Sequence, residues 1–385
     1  MSSGTSLIVW ESAFRPLRVS ANSHALRSRK EFVTTLSRSL ELSIKHREPL
    51  ERSAFLTPLL TWCALGLMLI AAPLPRSIAA PGSAPVADTL PVVISAGADH
   101  DIKKWDAEGK LAAAIGSHDD AVNALLLVGS DTLISVGADG ACKIWSISNA
   151  QMKLNIDVVK GGALSVALLP NTSTLAIGTA GGKIGLWNLM TGKKLAEVDA
   201  HNDGVRALHF SSEGTTLFSA SADRQVRFWK VTAGSKFGLD YQSNISAHDE
   251  AVNGLVVSPD DRTIATISSD GYLKSWQRNG GALINRVKVC EHGAAAVAFS
   301  PDGRTIATGD EDGRVRLWNA VSFAPISTLG SHERAVTCLA WSADGKFVVS
   351  GGADKTLRYW SLDQGKQAAR ITAHDGVVKA VVVLP

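Results

Sequence analysis

The stretch TIATGDEDGRVRLW (Thr305–Trp318) decides the fold. Two short runs, Thr305–Thr308 and Val315–Trp318, alternate apolar and polar residues, the period of a β-strand. Between them lie small residues and an Asp-Gly pair, the chemistry of a tight turn. The unit is therefore a hairpin, and it is not alone. Seven windows share its form: GADHDIKKW, GADGACKIW, TAGGKIGLW, SADRQVRFW, SSDGYLKSW, DEDGRVRLW and GADKTLRYW. They end on Trp105, Trp145, Trp187, Trp229, Trp276, Trp318 and Trp360, at steps of 40 to 47 residues. A period of that length marks one supersecondary unit repeated.

The positions around each tryptophan repeat as well. Six residues before it stands Asp99, Asp139, Asp223, Asp270, Asp312 or Asp354, in every unit except that of Trp187. Ten residues before it stands Ser95, Ser135, Ser219, Thr266, Thr308 or Ser350, in the same six. A histidine precedes most units: His118, His201, His248, His292, His332 and His374. Each unit thus reads as four strands. The histidine sits on the loop leading into the innermost strand, the hydroxyl residue ends the second, the aspartate holds the turn and the tryptophan ends the third.

This combination resembles the WD-repeat β-propeller family, over about residues 90–385. Only the first repeat carries a literal Trp-Asp pair, Trp105-Asp106. The resemblance implies an all-β fold, a seven-bladed β-propeller. It also implies that His, Ser/Thr, Asp and Trp form a hydrogen-bonded set inside each blade. Such a network satisfies its own polar groups and rigidifies the sheet. The expected sets are His118, Ser135, Asp139 and Trp145; His201, Ser219, Asp223 and Trp229; His248, Thr266, Asp270 and Trp276; and His332, Ser350, Asp354 and Trp360. The first unit lacks an inner strand, whereas the chain ends on a histidine loop and one valine-rich strand (His374–Pro385). That strand is expected to close the ring, which makes a fifth set from His374, Ser95, Asp99 and Trp105. A Ser/His/Asp combination also occurs in nucleophilic catalysis, but no catalytic site recurs blade after blade.

Two blades depart. Around Trp187 the aspartate position holds Gly181, the hydroxyl position holds Ile177, and the preceding KGGALSV has no histidine. All polar members are absent together, so this blade is expected to be packed by apolar contacts. Around Trp318, Thr308 and Asp312 are present but the histidine position falls on Cys290, with His292 two residues late.

The front of the chain is different in kind. Residues 1–53 are basic and read as an unstructured tail, with nine Lys/Arg against five Asp/Glu. Residues 54–72 (AFLTPLLTWCALGLMLIAA) carry no charge, the length and composition of a membrane-spanning or signal helix. Residues 73–89, rich in Pro, Ala, Gly and Ser, form the linker. The positive charge in front of the apolar run places the tail in the cytoplasm and the ring on the other side of the membrane, periplasmic in a bacterium. An uncleaved signal anchor, a secretory signal cleaved near Ser77-Ile78-Ala79 and a buried helix all fit this stretch.

The ring itself is near neutral, which suits nucleic-acid phosphates poorly. Cys142, Cys290 and Cys338 show no metal or haem spacing, so no metal or cofactor is expected. The histidines outside the repeated set, His100 and His209, have no matched partner by spacing.

Loop surfaces remain for function. Five residues after each histidine come Asn123, Arg206, Asn253, Thr337 and Lys379, on the face shared by the loops leading inward and the second turns. With Asp119, Asp120, Asp203, Asp249, Glu250, Glu333, Arg334 and Asp375 they form a mixed polar rim suited to a protein or peptide. The expected function is a non-catalytic interaction scaffold. The alternative is an accessory or cofactor-bearing propeller of an electron-transfer or enzyme complex. The longest irregular insertion, Val231–Asn244, lies on the other side and carries Phe237 and Tyr241.

Overall fold

The computed structural model describes residues 89–159, 161–232 and 237–385. The basic tail, the apolar span 54–72 and nearly all of the linker lie outside them. Ala87–Pro385 forms one compact unit. The described residues make 28 strands in seven antiparallel four-stranded sheets, with no helix. No helix among them is long and apolar enough to cross a membrane.

Chain order runs blade by blade. Blade 1 holds β1 (Val93–Gly97), β2 (Asp101–Trp105) and β3 (Leu111–Ser117); blade 2 holds β4 (Val122–Val128), β5 (Thr132–Gly137), β6 (Ala141–Ser146) and β7 (Gln151–Asp157). Blade 3 follows with β8 (Ala163–Leu168), β9 (Thr174–Thr179), β10 (Lys183–Asn188) and β11 (Lys194–Asp199). Blade 4 has β12 (Val205–Phe210), β13 (Thr216–Ser221), β14 (Gln225–Thr232) and β15 (Gly238–Ser246), and blade 5 has β16 (Val252–Val257), β17 (Thr263–Ser268), β18 (Tyr272–Gln277) and β19 (Leu283–Lys288). Blade 6 comprises β20 (Ala294–Phe299), β21 (Thr305–Asp310), β22 (Arg314–Asn319) and β23 (Pro325–Ser331). Blade 7 comprises β24 (Val336–Trp341), β25 (Phe347–Gly352), β26 (Thr356–Ser361) and β27 (Lys366–Thr372).

The last strand, β28 (Val378–Val383), pairs with β1 and completes blade 1. Val93 faces Val383 and Ser95 faces Val381. Closure joins the two ends of the ring and leaves no exposed inner edge.

The core lies between blades rather than within one. Seven apolar clusters each join neighbouring blades, and each holds one of the seven tryptophans. Trp145 of blade 2, for example, packs on Ile94, Ile102 and Ile115 of blade 1. Alternation along the second and third strands thus puts one face of every sheet against each neighbour.

The hydroxyl residue does not end the second strand but lies two residues before its end, paired with a residue of the third strand. The stretch expected to be an irregular insertion is mostly strand. β14 and β15 run on as a long hairpin, and residues 233–236 at its tip lie outside the described residues. Phe237 packs on the cluster of blades 3 and 4, and Tyr241 stands edge-on to Trp229 at 5.8 Å. Alternation of Leu239 inward and Asp240 outward is the strand signal that the Gly and Ser at its tip obscured.

Candidate functional site

In five blades the four repeated side chains are hydrogen-bonded in series. In blade 2, Trp145 Nε1–H donates to Ser135 Oγ at 2.8 Å, Ser135 Oγ lies 2.7 Å from His118 Nε2, and His118 Nδ1 lies 2.9 Å from Asp139. Blade 4 repeats this with Trp229, Ser219, His201 and Asp223, and blade 5 with Trp276, Thr266, His248 and Asp270. Blade 7 uses Trp360, Ser350, His332 and Asp354. Blade 1 draws Trp105, Ser95 and Asp99 from the front of the ring and His374 from its end, with 2.8 Å between Ser95 and His374.

The polarity of the chain follows from its ends. The indole can only donate, and a carboxylate can only accept. The hydroxyl therefore donates to Nε2, and the neutral imidazole carries its proton on Nδ1. Backbone N–H groups of the histidine loops complete each carboxylate, as Asp119 N does for Asp139 at 3.0 Å. Burial depresses the pKa of His118, His248, His332 and His374, against the opposing pull of the aspartates. These groups are buried fasteners, with no free nucleophile among them.

A further member was legible in the spacing but overlooked. Two residues before the tryptophan stands Lys103, Lys143, Arg227, Lys274, Arg316 or Arg358, directly across the sheet from the hydroxyl residue. Lys143, Arg227, Lys274 and Arg316 reach the backbone carbonyl just before the histidine position of their own blade, at 2.5–3.0 Å. Lys103 and Arg358 bond the tetrad aspartates Asp99 and Asp354.

Blade 3 has Gly185 at that position, opposite Ile177. The bulk has moved from one strand to the other: a small hydroxyl against a long cation becomes a large aliphatic against nothing. Ile177, Ile184 and Leu186 are fully buried. The replacement is incomplete, because the buried Trp187 Nε1 has no hydrogen-bond partner.

Blade 6 solves the loss of its histidine differently. Trp318 still donates to Thr308 at 2.8 Å, but Asp312 has left the interior and pairs with His292, 73% exposed, at 2.9 Å. The buried carboxylate is instead Asp310, bonded by Arg316 and by Arg314 N at 2.8 Å. Blades 1, 2 and 7 hold Gly97, Gly137 and Gly352 there, where a Cβ would lie within about 3 Å of the imidazole. With Cys290 in place of that ring, the space is open to an aspartate side chain.

The five residues picked out at the mouth of the ring share one structural identity. Asn123, Arg206, Asn253, Thr337 and Lys379 are the extra residues of β-bulges in the innermost strands. Leu164 and Ala295 hold the same place in blades 3 and 6. A bulge redirects its side chain, and here it turns toward the next blade. Asn123 donates to Ala163 O at 2.9 Å and accepts from Lys379 Nζ at 3.0 Å. Asn253 donates to Ala294 O at 2.8 Å and accepts from Arg206. The single hydroxyl proton of Thr337 is shared between Gly351 O at 3.0 Å and Val378 O of blade 1. Exposed Asp119, Asp120, Asp203, Asp249, Glu250, Glu333 and Asp375, with Arg334 among them, surround this mouth.

Five stretches, residues 109–146, 192–230, 240–277, 285–319 and 323–361, match the family described as WD domain, G-beta repeat. These are WD40 repeats. The repeats ending at Trp105 and Trp187 fall outside the matched stretches, one split between the chain ends and one without its tetrad. Among curated proteins, none matches the chain. Among solved structures it is similar to a computationally designed protein, Ika8, with 26% identity and a TM-score of 0.59 over 75% of this chain and 86% of that one. WD40 propellers typically serve as protein-interaction scaffolds and are usually non-catalytic. Among the described residues no group of His, Cys, Asp and Glu is arranged to hold a metal ion.

Proposed function

We propose that this WD40 propeller is a scaffold that docks a basic segment of a protein or peptide at the bulge-lined mouth. The observation that carries this reading is the ring of bulge residues, Asn123, Arg206, Asn253, Thr337 and Lys379, set within acidic loops. The buried polar pattern is consumed by fastening, so recognition falls to these loops. Acidic loops attract and orient a cationic partner over a distance set by salt. Residues 54–72 hold the chain in a membrane, with the ring on the non-cytoplasmic side, or direct its export. Nucleic acid is disfavoured as a partner by the same acidic rim.

A photo-crosslinking residue at Asn123 or Thr337 should capture a partner, and one at Asp344, on the opposite face, should not. Arg206→Ala should weaken that capture while lowering stability by only about 1 kcal/mol, the worth of one exposed hydrogen bond. Equal capture from both faces would remove the assignment.

A further inference from the structure

The opposite face has its own pattern. Among the described residues, every exposed large apolar side chain lies toward the outer edge of that face, where the third and fourth strands meet. Leu111, Met152, Tyr241 and Leu283 occupy one register position in four blades, each paired across the sheet with the tryptophan that ends or nearly ends the third strand. Tyr241 stands edge-on to Trp229, and the other three take the same place beside their tryptophans, which gives their exposure a packing reason.

Met190 and Val321 have none. They are 76% and 79% exposed at the tips of the β10–β11 and β22–β23 turns. Both turns are fixed by the same device. Asn188 Oδ1 accepts from Met190 N at 3.0 Å and Thr191 N at 2.9 Å; Asn319 Oδ1 accepts from Val321 N at 3.0 Å and Ser322 N at 2.9 Å. Two rigid turns thus hold large apolar groups out into solvent.

Their placement adds a third point. Leu90, near the start of the described chain, bonds Ala107 O in the equivalent turn of blade 1. The described chain therefore begins on this same face. Blades 1, 3 and 6 stand two, three and two blades apart around the ring, and three such points define a plane. Exposed Lys110, Lys153 and Lys193 lie beside Leu111, Met152 and the Met190 turn. Lysine next to an exposed apolar group is the composition of a surface that lies in a lipid interface. Carboxylates stand on both faces, Glu108, Asp302 and Asp344 among them on this one, so the exposed apolar tips rather than charge set this face apart.

We propose that this face rests on the bilayer, with Met190 and Val321 inserted at the headgroup level and the neighbouring lysines on anionic headgroups. The mouth then points away from the membrane toward its partner. This orientation rests on the membrane-attached reading of residues 54–72. Residues 73–89 span at most about 60 Å, so attachment alone permits other orientations and the tips are what select this one.

The test uses the full chain with Cys63→Ser, in vesicles of phosphatidylcholine and phosphatidylglycerol that contain brominated lipid. Burial pushes the remaining thiols up, to about 12 for Cys142 and Cys338 and about 11 for Cys290, so an introduced cysteine takes the label. Fluorophores at Met190→Cys and Val321→Cys should be quenched several-fold more than one at Asp375→Cys. A reporter at Ile326→Cys should lose that quenching in the Met190→Glu, Val321→Glu variant, while the protein still floats with the vesicles. Flotation with equal quenching on both faces overturns the resting face and leaves attachment standing. Failure to float overturns both. A blue shift of the Met190→Cys label that grows with protein concentration in lipid-free detergent would assign the face to a second copy and also overturn the proposal.

Discussion

Blades 3 and 4 are neighbours of equal strand number, yet they are fastened by different means. Blade 4 places Ser219 across from Arg227 and threads its polar groups through His201 to Asp223. Blade 3 places Ile177 across from Gly185 and fills the same volume with aliphatic carbon. The difference teaches that the tetrad is a module. Its histidine, hydroxyl, carboxylate and cation are lost together, because each stranded member would be a buried unpaired group. Blade 6 is the exception that shows the cost: it kept the hydroxyl and the cation, and a new carboxylate, Asp310, had to enter to meet Arg316.

Acid should separate the two kinds of blade most widely. At His118, His248, His332 and His374 the pKa lies below the ordinary 6.5, because burial disfavours the charged ring. The unfolded chain then binds more protons than the folded one as pH falls through 6.5, so stability declines. Burial opposes ionisation of Asp99, Asp139, Asp223 and Asp270, but backbone N–H donors and the histidines more than offset it, to about 2 at Asp270. Their contribution is present above about pH 4 and fades below it, so the two groups act in the same direction. The melting temperature should fall from pH 8 to pH 5 and again below pH 4. A melting temperature that held or rose across that range would separate the histidines from stability.

The substitute in blade 6 gives the next largest effect. Arg316→Met leaves Asp310 buried without its cation and should cost about 3–5 kcal/mol in chemical denaturation. Arg227→Met leaves Asp223 with His201 and should cost about 1 kcal/mol. Equal losses would mean that Asp310 is not the partner that Arg316 serves.

Much of this was legible before the fold was seen. The tryptophan period and the valine-rich tail gave the seven-bladed ring and its closure, since both are periodic along the chain. The departures at Gly181, Ile177 and Cys290 were also visible by counting. Less visible was anything that depends on a neighbour in space. The mouth residues could be chosen by their distance from the histidine, but not recognised as bulges, because their partners lie in the next blade. Lys379 and Asn123 are 256 residues apart. Asp310 was hidden because glycine or serine usually stands there, and the fixed offset pointed to Asp312. The orphan at Trp187 was hidden by its own constancy: the indole recurs in every blade, so its lost acceptor left no mark at that position.

That orphan supplies the most direct measurement of the central claim, that the repeated polar set fastens six blades in whole or part and is absent from one. Tryptophan to phenylalanine, made singly in each blade and followed by denaturant unfolding, removes one indole N–H and leaves a similar cavity at each buried position. At Trp229, and at the other positions where a hydroxyl accepts it, the lost hydrogen bond should add about 1–3 kcal/mol to the cavity cost. At Trp187 the change removes a buried donor that has no partner, so only the cavity cost should remain. A loss at Trp187 as large as that at Trp229 would contradict the account.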